Sequence, residues 1–287
     1  MPMTTFYKPA GFCIYCLSTG ELTNEHTVPD GMGGQHVIPQ ASCSDCQDIT
    51  HRFEADCLRR VFGTTRALLN SYGPRSHRVT SAPITAIDTD GRKTTDSIPI
   101  QRYPYHVMLP LYDPPGILTG ADRHIGFKDD IVYRHITRLD NDKLFADLFE
   151  NDLKGYVSAE TTGSTPSHHN LCLLLAKIGY VTLLGSLPNT TRRELATHSL
   201  IPKLIRGVEG SAGAPFLVGG AFHPNGERYL TLSSFPEQHQ TMVGICPPDD
   251  GMQLIYARIQ LFTHLQGTPV YEVADLIEEH LLTGKHD

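Results

Sequence analysis

Two Cys-x-x-Cys pairs, Cys13/Cys16 and Cys43/Cys46, stand near the start of the chain, and an acid next to a histidine, Glu25-His26, lies between them. Four thiols in two close pairs can surround one tetrahedral zinc ion, because each short knuckle offers two sulfurs to the same point. Such paired knuckles rarely arise in a cytosolic chain without a metal. A closed shell of four sulfurs leaves no open position, so this zinc is expected to be structural rather than catalytic. The gap between the pairs, residues 17–42, is 26 residues long, more than the roughly 15–20 of a simple zinc ribbon. Something is therefore inserted between the knuckles, and it carries the acid and the histidine. An imidazole can take a proton from water near neutral pH, and a carboxylate beside it can hold a hard divalent cation.

The elements that must position these groups are legible nearby. Residues 21–28 read as a strand with turn residues on both sides. Pro29-Asp30-Gly31-Met32-Gly33-Gly34 must be a loop, since three glycines in four positions suit neither strand nor helix. Residues 36–38 make a short return strand. Ser44-Asp45-Cys46-Gln47 fits a capping box, so a helix is expected to start at the second knuckle. On that helix Ile49, Phe53, Cys57 and Arg60/Val61 share a side expected to face the core. Gln47, His51, Glu54 and Leu58 fall on the other, so Gln47 and His51 sit one turn apart on a face that could look at His26.

The order Cys-x-x-Cys, Glu25-His26, Pro29, Gly33-Gly34, Cys-x-x-Cys, helix resembles the zinc-containing branch of the HNH (ββα-metal, His-Me finger) endonucleases, over roughly residues 10–60. The resemblance implies that His26 is the general base on water attacking a phosphodiester. It implies that Glu25 and a side chain from the helix hold one divalent metal ion. The family usually places Asn, His or Asp directly after the last cysteine; here that position is Gln47. Gln47 and His51 are the leading candidates for the helical ligand, with Asp48 and Glu54 behind them. Oxygen ligands suit Mg²⁺ or Mn²⁺, whereas His51 would favour softer ions such as Mn²⁺, Ni²⁺ or Zn²⁺. The asparagine that steadies the base in the family has no clear counterpart; Gln40 is the nearest candidate and reads better as an ordinary structural residue. His36 reads as a loop or strand residue, and His168-His169 as solvated. Residues 174–180, 217–220, 258–262 and 269–273 resemble segments that follow this motif in many bacterial HNH proteins, and they carry no nameable chemistry.

The chain has 287 residues and a net charge of −7, enough length for one or two domains beside the zinc module. Glycine (25) and proline (20) are frequent, which argues against an all-helical bundle. The charge is uneven. Residues 1–80 are neutral overall, while residues 49–80 hold six arginines against Glu54 and Asp56. Of these, Arg52, Arg59, Arg60 and Arg66 are candidates to follow a phosphate backbone, since a local basic patch can serve nucleic acid on an acidic protein. No apolar leader follows the start, so no signal peptide is expected. The longest apolar run, residues 171–187, contains Lys177 and is short of the roughly 20 residues a membrane span needs, so it reads as a buried helix. Seven cysteines, four of them at metal spacing, suggest a reducing, cytoplasmic setting; Cys57, Cys172 and Cys246 read as buried thiols.

Further along, residues 79–87 and 94–100 flank Asp90-Gly91 as a hairpin, residues 104–115 read as extended or irregular because of their prolines, and residues 142–149 as a helix. Residues 161–166 look like a linker, residues 215–273 like short strands with Ile255, Ala257, Ile259 and Leu261 on one face, and residues 275–282 like a closing helix.

The expected fold is α+β: an N-terminal zinc-stabilised ββα-metal (HNH) module over residues 1–75, then a larger mixed α+β domain over 76–287 with a sub-boundary near 161–167. The expected activity is metal-dependent endonucleolytic hydrolysis of DNA, with a structural Zn²⁺ on Cys13, Cys16, Cys43 and Cys46 and a catalytic Mg²⁺ or Mn²⁺. Two other readings stay open. One is a catalytically weak or inactive zinc module that binds nucleic acid. The other is a sensor or effector whose C-terminal domain controls the nuclease. No membrane partner is expected; residues 76–287 offer room for a homo-oligomer contact or a regulatory partner.

Overall fold

The computed structural model describes residues 4–63, 80–104, 106–137, 140–161, 167–208, 212–221, 239–246, 252–263, 265 and 267–278. The architecture is mixed α+β, as expected. Strand β1 (Thr5–Phe6) runs parallel to β3 (His36–Cys43), and β2 (Leu22–His26) pairs with β3 antiparallel on its other side. Helix α1 (Ser44–Asp56) follows β3 directly and continues into a π-helical turn, Cys57–Val61. The return strand is longer than residues 36–38 because a register shift absorbs Pro39 and Gln40, the latter at φ 51°. A bulge of this kind lets pairing resume beyond residues that would otherwise end a strand. The helix begins one residue earlier than the capping box implied. Cys43 is the N-cap and no side chain caps the first turn, so Ser44 and Gln47 do not form the box.

Strands β4 (Ser81–Asp88) and β5 (Lys93–Pro99) form the expected hairpin. Its turn is closed by Asp88, whose carboxylate accepts from the amides of Asp90 and Arg92 at 2.9 and 2.8 Å. The proline-rich stretch is extended in its first half, one of the two expected alternatives. It contains β6 (His106–Leu111), paired with β7 (Val132–Thr137), and Pro110 is tolerated because a two-stranded sheet has only edges. Helix α2 (Asn141–Asn151) and β8 (Tyr156–Thr161) follow, β8 adding to the free side of β4. The linker-like residues 162–166 lie outside the described residues. Helices α3 (His168–Ser186) and α4 (Asn189–His198) come next. The last sheet has the order β10-β11-β12-β9, from β9 (Val218–Gly220), β10 (His239–Ile245), β11 (Met252–Leu261) and β12 (Val270–Glu278). The closing helix is thus corrected over residues 275–278: they extend β12 and pair with Met252–Ile255, because cross-strand pairing overrides local helix propensity.

Helix α3 is the centre of the molecule. Ser167 caps it by accepting from the Asn170 amide at 3.3 Å, and its side chains are buried on nearly every face. By length and composition it could cross a membrane, but 78% of its most apolar stretch is buried within the protein. Gly179 lets it approach the last sheet, since a Cβ there would stand 2.8 Å from that of Ala257. One continuous core runs from Phe12 and Ile14 beside the knuckles, through α3, to Ile255 and Val273.

Candidate metal centre and the His26 site

The four knuckle cysteines come together. Their sulfurs all lie within 4.8 Å of one another, with Cys16 and Cys43 at 3.6 Å. Four thiolates about 2.3 Å from one zinc ion would stand about 3.8 Å apart, so the cluster fits a tetrahedral ion. Local backbone explains the shape. Leu17 at φ 66° turns the first knuckle back, its amide donating to the Cys13 carbonyl at 2.8 Å. Cys43 and Cys46 are an N-cap and a first-turn residue of α1, which aims both at one point. A hydrogen bond from Cys46 holds the Cys13 thiol down to about 4 against the effect of burial, so a thiolate is already favoured there.

Glu25 and His26 end β2, opposite Ile38 and Val37. Strand alternation sends Glu25 inward, where it is 5% exposed, while His26 is half-buried. The loop after β2 is tightly folded: a Cβ on Gly34 would meet the Val28 carbonyl oxygen at 1.8 Å, so only glycine fits. His239 clamps this loop from β10. Its Nδ1 accepts from the Phe262 amide at 3.2 Å, which leaves Nε2 as the N–H that donates to the Met32 carbonyl at 3.0 Å. The Nδ1 of His26 is buried without an aligned partner, with the Gly34 backbone beside the ring. Burial pushes the imidazole below its ordinary range, the Lys177 charge adds to this, and Asp30 and Glu54 oppose it. The first two effects favour the neutral ring, the form a general base needs.

The residue sequence reasoning missed is Lys177. Its ammonium, 1% exposed, lies 3.0 Å from Glu25 Oε1 and 3.0 Å from Glu54 Oε1. It also donates to the His26 carbonyl, and more weakly to that of Thr27 at 3.5 Å. The Glu54 contact is an ion pair without hydrogen-bond alignment, which leaves that oxygen short of a directed partner. Burial pushes Lys177 down, but the carboxylates of Glu54 and Glu25 more than reverse this and keep it charged. Burial also raises the Glu25 carboxyl, against the pull of Lys177. The signal was in the chain: one lysine inside an apolar run must bury its charge, and a buried lysine needs acids.

Helix α1 buries Phe53 and Cys57 as expected, with Thr50 rather than Ile49 completing the inner face. Cys46, Thr50, Phe53 and Cys57 face inward with Glu54 at the edge, while Gln47 and His51 are exposed. Glu54, not Gln47 or His51, is the helical side chain brought to Glu25. Gln40 and His36 are exposed on β3. Arg52 and Arg59 are exposed, Arg60 pairs with Asp56 at 2.8 Å, and Arg66 lies outside the described residues. Cys57 and Cys172 are buried thiols, as expected, while Cys246 is only half-buried. His168 is not solvated: its ring bonds the hydroxyls of Tyr112 at 3.1 Å and Tyr133 at 2.8 Å. A cavity of about 480 Å³, lined by Tyr112, Phe127, Lys128, Ile131 and Pro215 among others, contains neither His26 nor a knuckle cysteine. Comparison with known proteins finds no matching family, no similar curated protein and no similar solved structure.

Proposed function

We propose that this chain is an endonuclease of the HNH type that hydrolyses phosphodiester bonds in DNA, with His26 as general base. The observation that carries the reading is a half-buried imidazole at the end of β2, in a β2–β3 hairpin bracketed by one four-cysteine cluster at its start and at its joint with α1. The half-buried ring of His26, with the Gly34 backbone beside it, would take a proton from the attacking water. The zinc ion implied by the cysteines would hold the hairpin and helix in register and take no part in the reaction. Arg52 and Arg59 would bind the backbone of the substrate.

The Mg²⁺ or Mn²⁺ expected with Glu25 does not fit the residues as they stand. Gln47 and His51 face outward, and the Glu25 carboxylate is taken by Lys177. The same ion pair favours a second reading, a zinc-dependent nucleic-acid-binding protein without catalysis, because an acid neutralised by lysine is a poor metal ligand.

One experiment separates the two. Purified, zinc-loaded protein is incubated with plasmid DNA in Mg²⁺, in Mn²⁺ and with neither, beside the His26→Ala variant. The nuclease reading expects nicking that falls by about 10²–10⁴-fold in His26→Ala while zinc content holds. Plasmid that is bound and retarded but never cut establishes the binding module instead.

A further inference from the structure

We propose that Lys177 is the resident cation of a two-carboxylate site made by Glu25 and Glu54, and that a divalent metal ion enters this site only by competing with its ammonium. Four oxygens converge on one buried point: a carboxylate oxygen each from Glu25 and Glu54, and the carbonyls of His26 and Thr27. An all-oxygen set of this kind suits a hard cation. An ammonium has three donors, so it cannot serve four acceptors at once, and Glu54 Oε1 is the one left without alignment.

Two further features mark the place as incompletely filled. Two carboxylates face a single ammonium, and Glu54 Oε1 has no aligned hydrogen-bond partner among the described residues. The Tyr15 hydroxyl, 2% exposed and without a hydrogen-bond partner among the described residues, lies near enough to Glu25 and Glu54 to feel both charges. A doubly charged ion with several coordination positions would answer both; the lysine answers neither. Lys177 reaches the site from α3, the helix at the centre of the core, so the packing of that helix decides whether the carboxylates are available. The consequence for catalysis rests on the proposed function: Lys177 would hold the acid beside His26 in a metal-free resting state.

The test reads metal binding and not cleavage, so it stands or falls apart from the nuclease reading. The zinc-loaded full chain is titrated with Mn²⁺ while free Mn²⁺ is followed by electron paramagnetic resonance. Lys177→Met should bind one Mn²⁺ at least about tenfold more tightly than wild type, because the metal now neutralises two otherwise uncompensated buried carboxylates. Adding Glu54→Gln to that variant should remove the gain, with zinc content equal throughout. Equal Mn²⁺ affinity in wild type and a folded Lys177→Met overturns the proposal. If Lys177→Met does not fold alone, it is refolded with and without Mn²⁺ and followed by circular dichroism. Recovery of the native spectrum with Mn²⁺ supports the competition, and failure to recover overturns it.

Discussion

At the scale of single residues, two cationic side chains among the described residues lie where burial makes them expensive, and each is answered differently. Lys177 is answered by carboxylates. Arg192, 2% exposed, is answered by carbonyls: it donates to Leu184 at 2.6 Å, to Gly185 at 3.0 Å and to Lys8 at 2.7 Å. Two of those carbonyls belong to the last turn of α3, so Arg192 acts as a buried C-cap and a favourable charge at the helix C-terminus. Arg192→Met keeps the bulk but loses those bonds, and should lower stability by about 3 kcal/mol in chemical denaturation. A change within error would mean that water replaces the guanidinium at no cost. Asp275 is fully buried and accepts from Ser199 Oγ at 2.6 Å and from the Leu200 amide at 2.7 Å. Burial nevertheless raises its carboxyl from 3.8 to about 6. The native state therefore binds the proton more tightly than the unfolded chain. The resulting stability is fully present below pH 3.8 and lost as pH rises through about 6. Wild type should lose up to about 3 kcal/mol across that window relative to Asp275→Asn. Parallel pH profiles of the two proteins would show that the hydrogen bonds cancel the burial.

At the scale of elements, the β2–β3–α1 unit is too small to bury much of its own surface, and the metal cluster supplies what a larger core would. Cys43 serves twice, as last residue of β3 and N-cap of α1, so Cys43→Ser breaks the cluster at the joint between strand and helix. Metal analysis of that variant should show the loss of about one zinc ion per chain, and wild-type zinc content would remove the assignment of the cluster. The outer face of the same helix tests the contact with nucleic acid. Arg52 and Arg59 are exposed there, whereas part of the charge of Arg60 is spent on Asp56. The Arg52→Ala/Arg59→Ala double variant should flatten the dependence of DNA affinity on log salt by about 2 units, with little change in sequence preference. An unchanged slope would assign these arginines to solvent.

At the scale of the whole molecule, the knuckles are not an appended module. Tyr180 of α3 donates to the Ile14 carbonyl at 2.7 Å, Asn170 to Asp56 at 2.8 Å, and His239 to the loop after β2. With one core shared between the knuckle region and the last sheet, removal of zinc should be felt throughout. Chelation is expected to lower the midpoint of a single cooperative thermal transition followed by tyrosine fluorescence. A separate early transition, with the remainder of the chain melting as before, would show that residues near the knuckles unfold alone.

What the sequence determined by itself was the local chemistry. Four cysteines at knuckle spacing, Glu25-His26 between them, a glycine loop that could be nothing else and a helix after the second knuckle all follow from spacing and backbone preference. The hairpin at Asp90-Gly91, the alternating face of β11 and the buried nature of α3 follow from the same short-range rules. Only the tertiary structure decided which way those elements turn. Helix α1 buries Thr50 and sets Glu54 at the edge beside Glu25, while Gln47 and His51 are exposed to solvent and not to His26, because its apolar stripe is broken by polar residues and periodicity alone fixes no single face. Residues 275–278 became strand because β11 offers a paired edge, which no local propensity records. The partnership of Glu25 and Glu54 with Lys177 joins residues more than a hundred positions apart, and long-range electrostatic pairing leaves no periodic trace in a sequence. A lysine buried in an apolar run announces that it needs acids, but only the packing of α3 against the zinc-pinned hairpin says which ones.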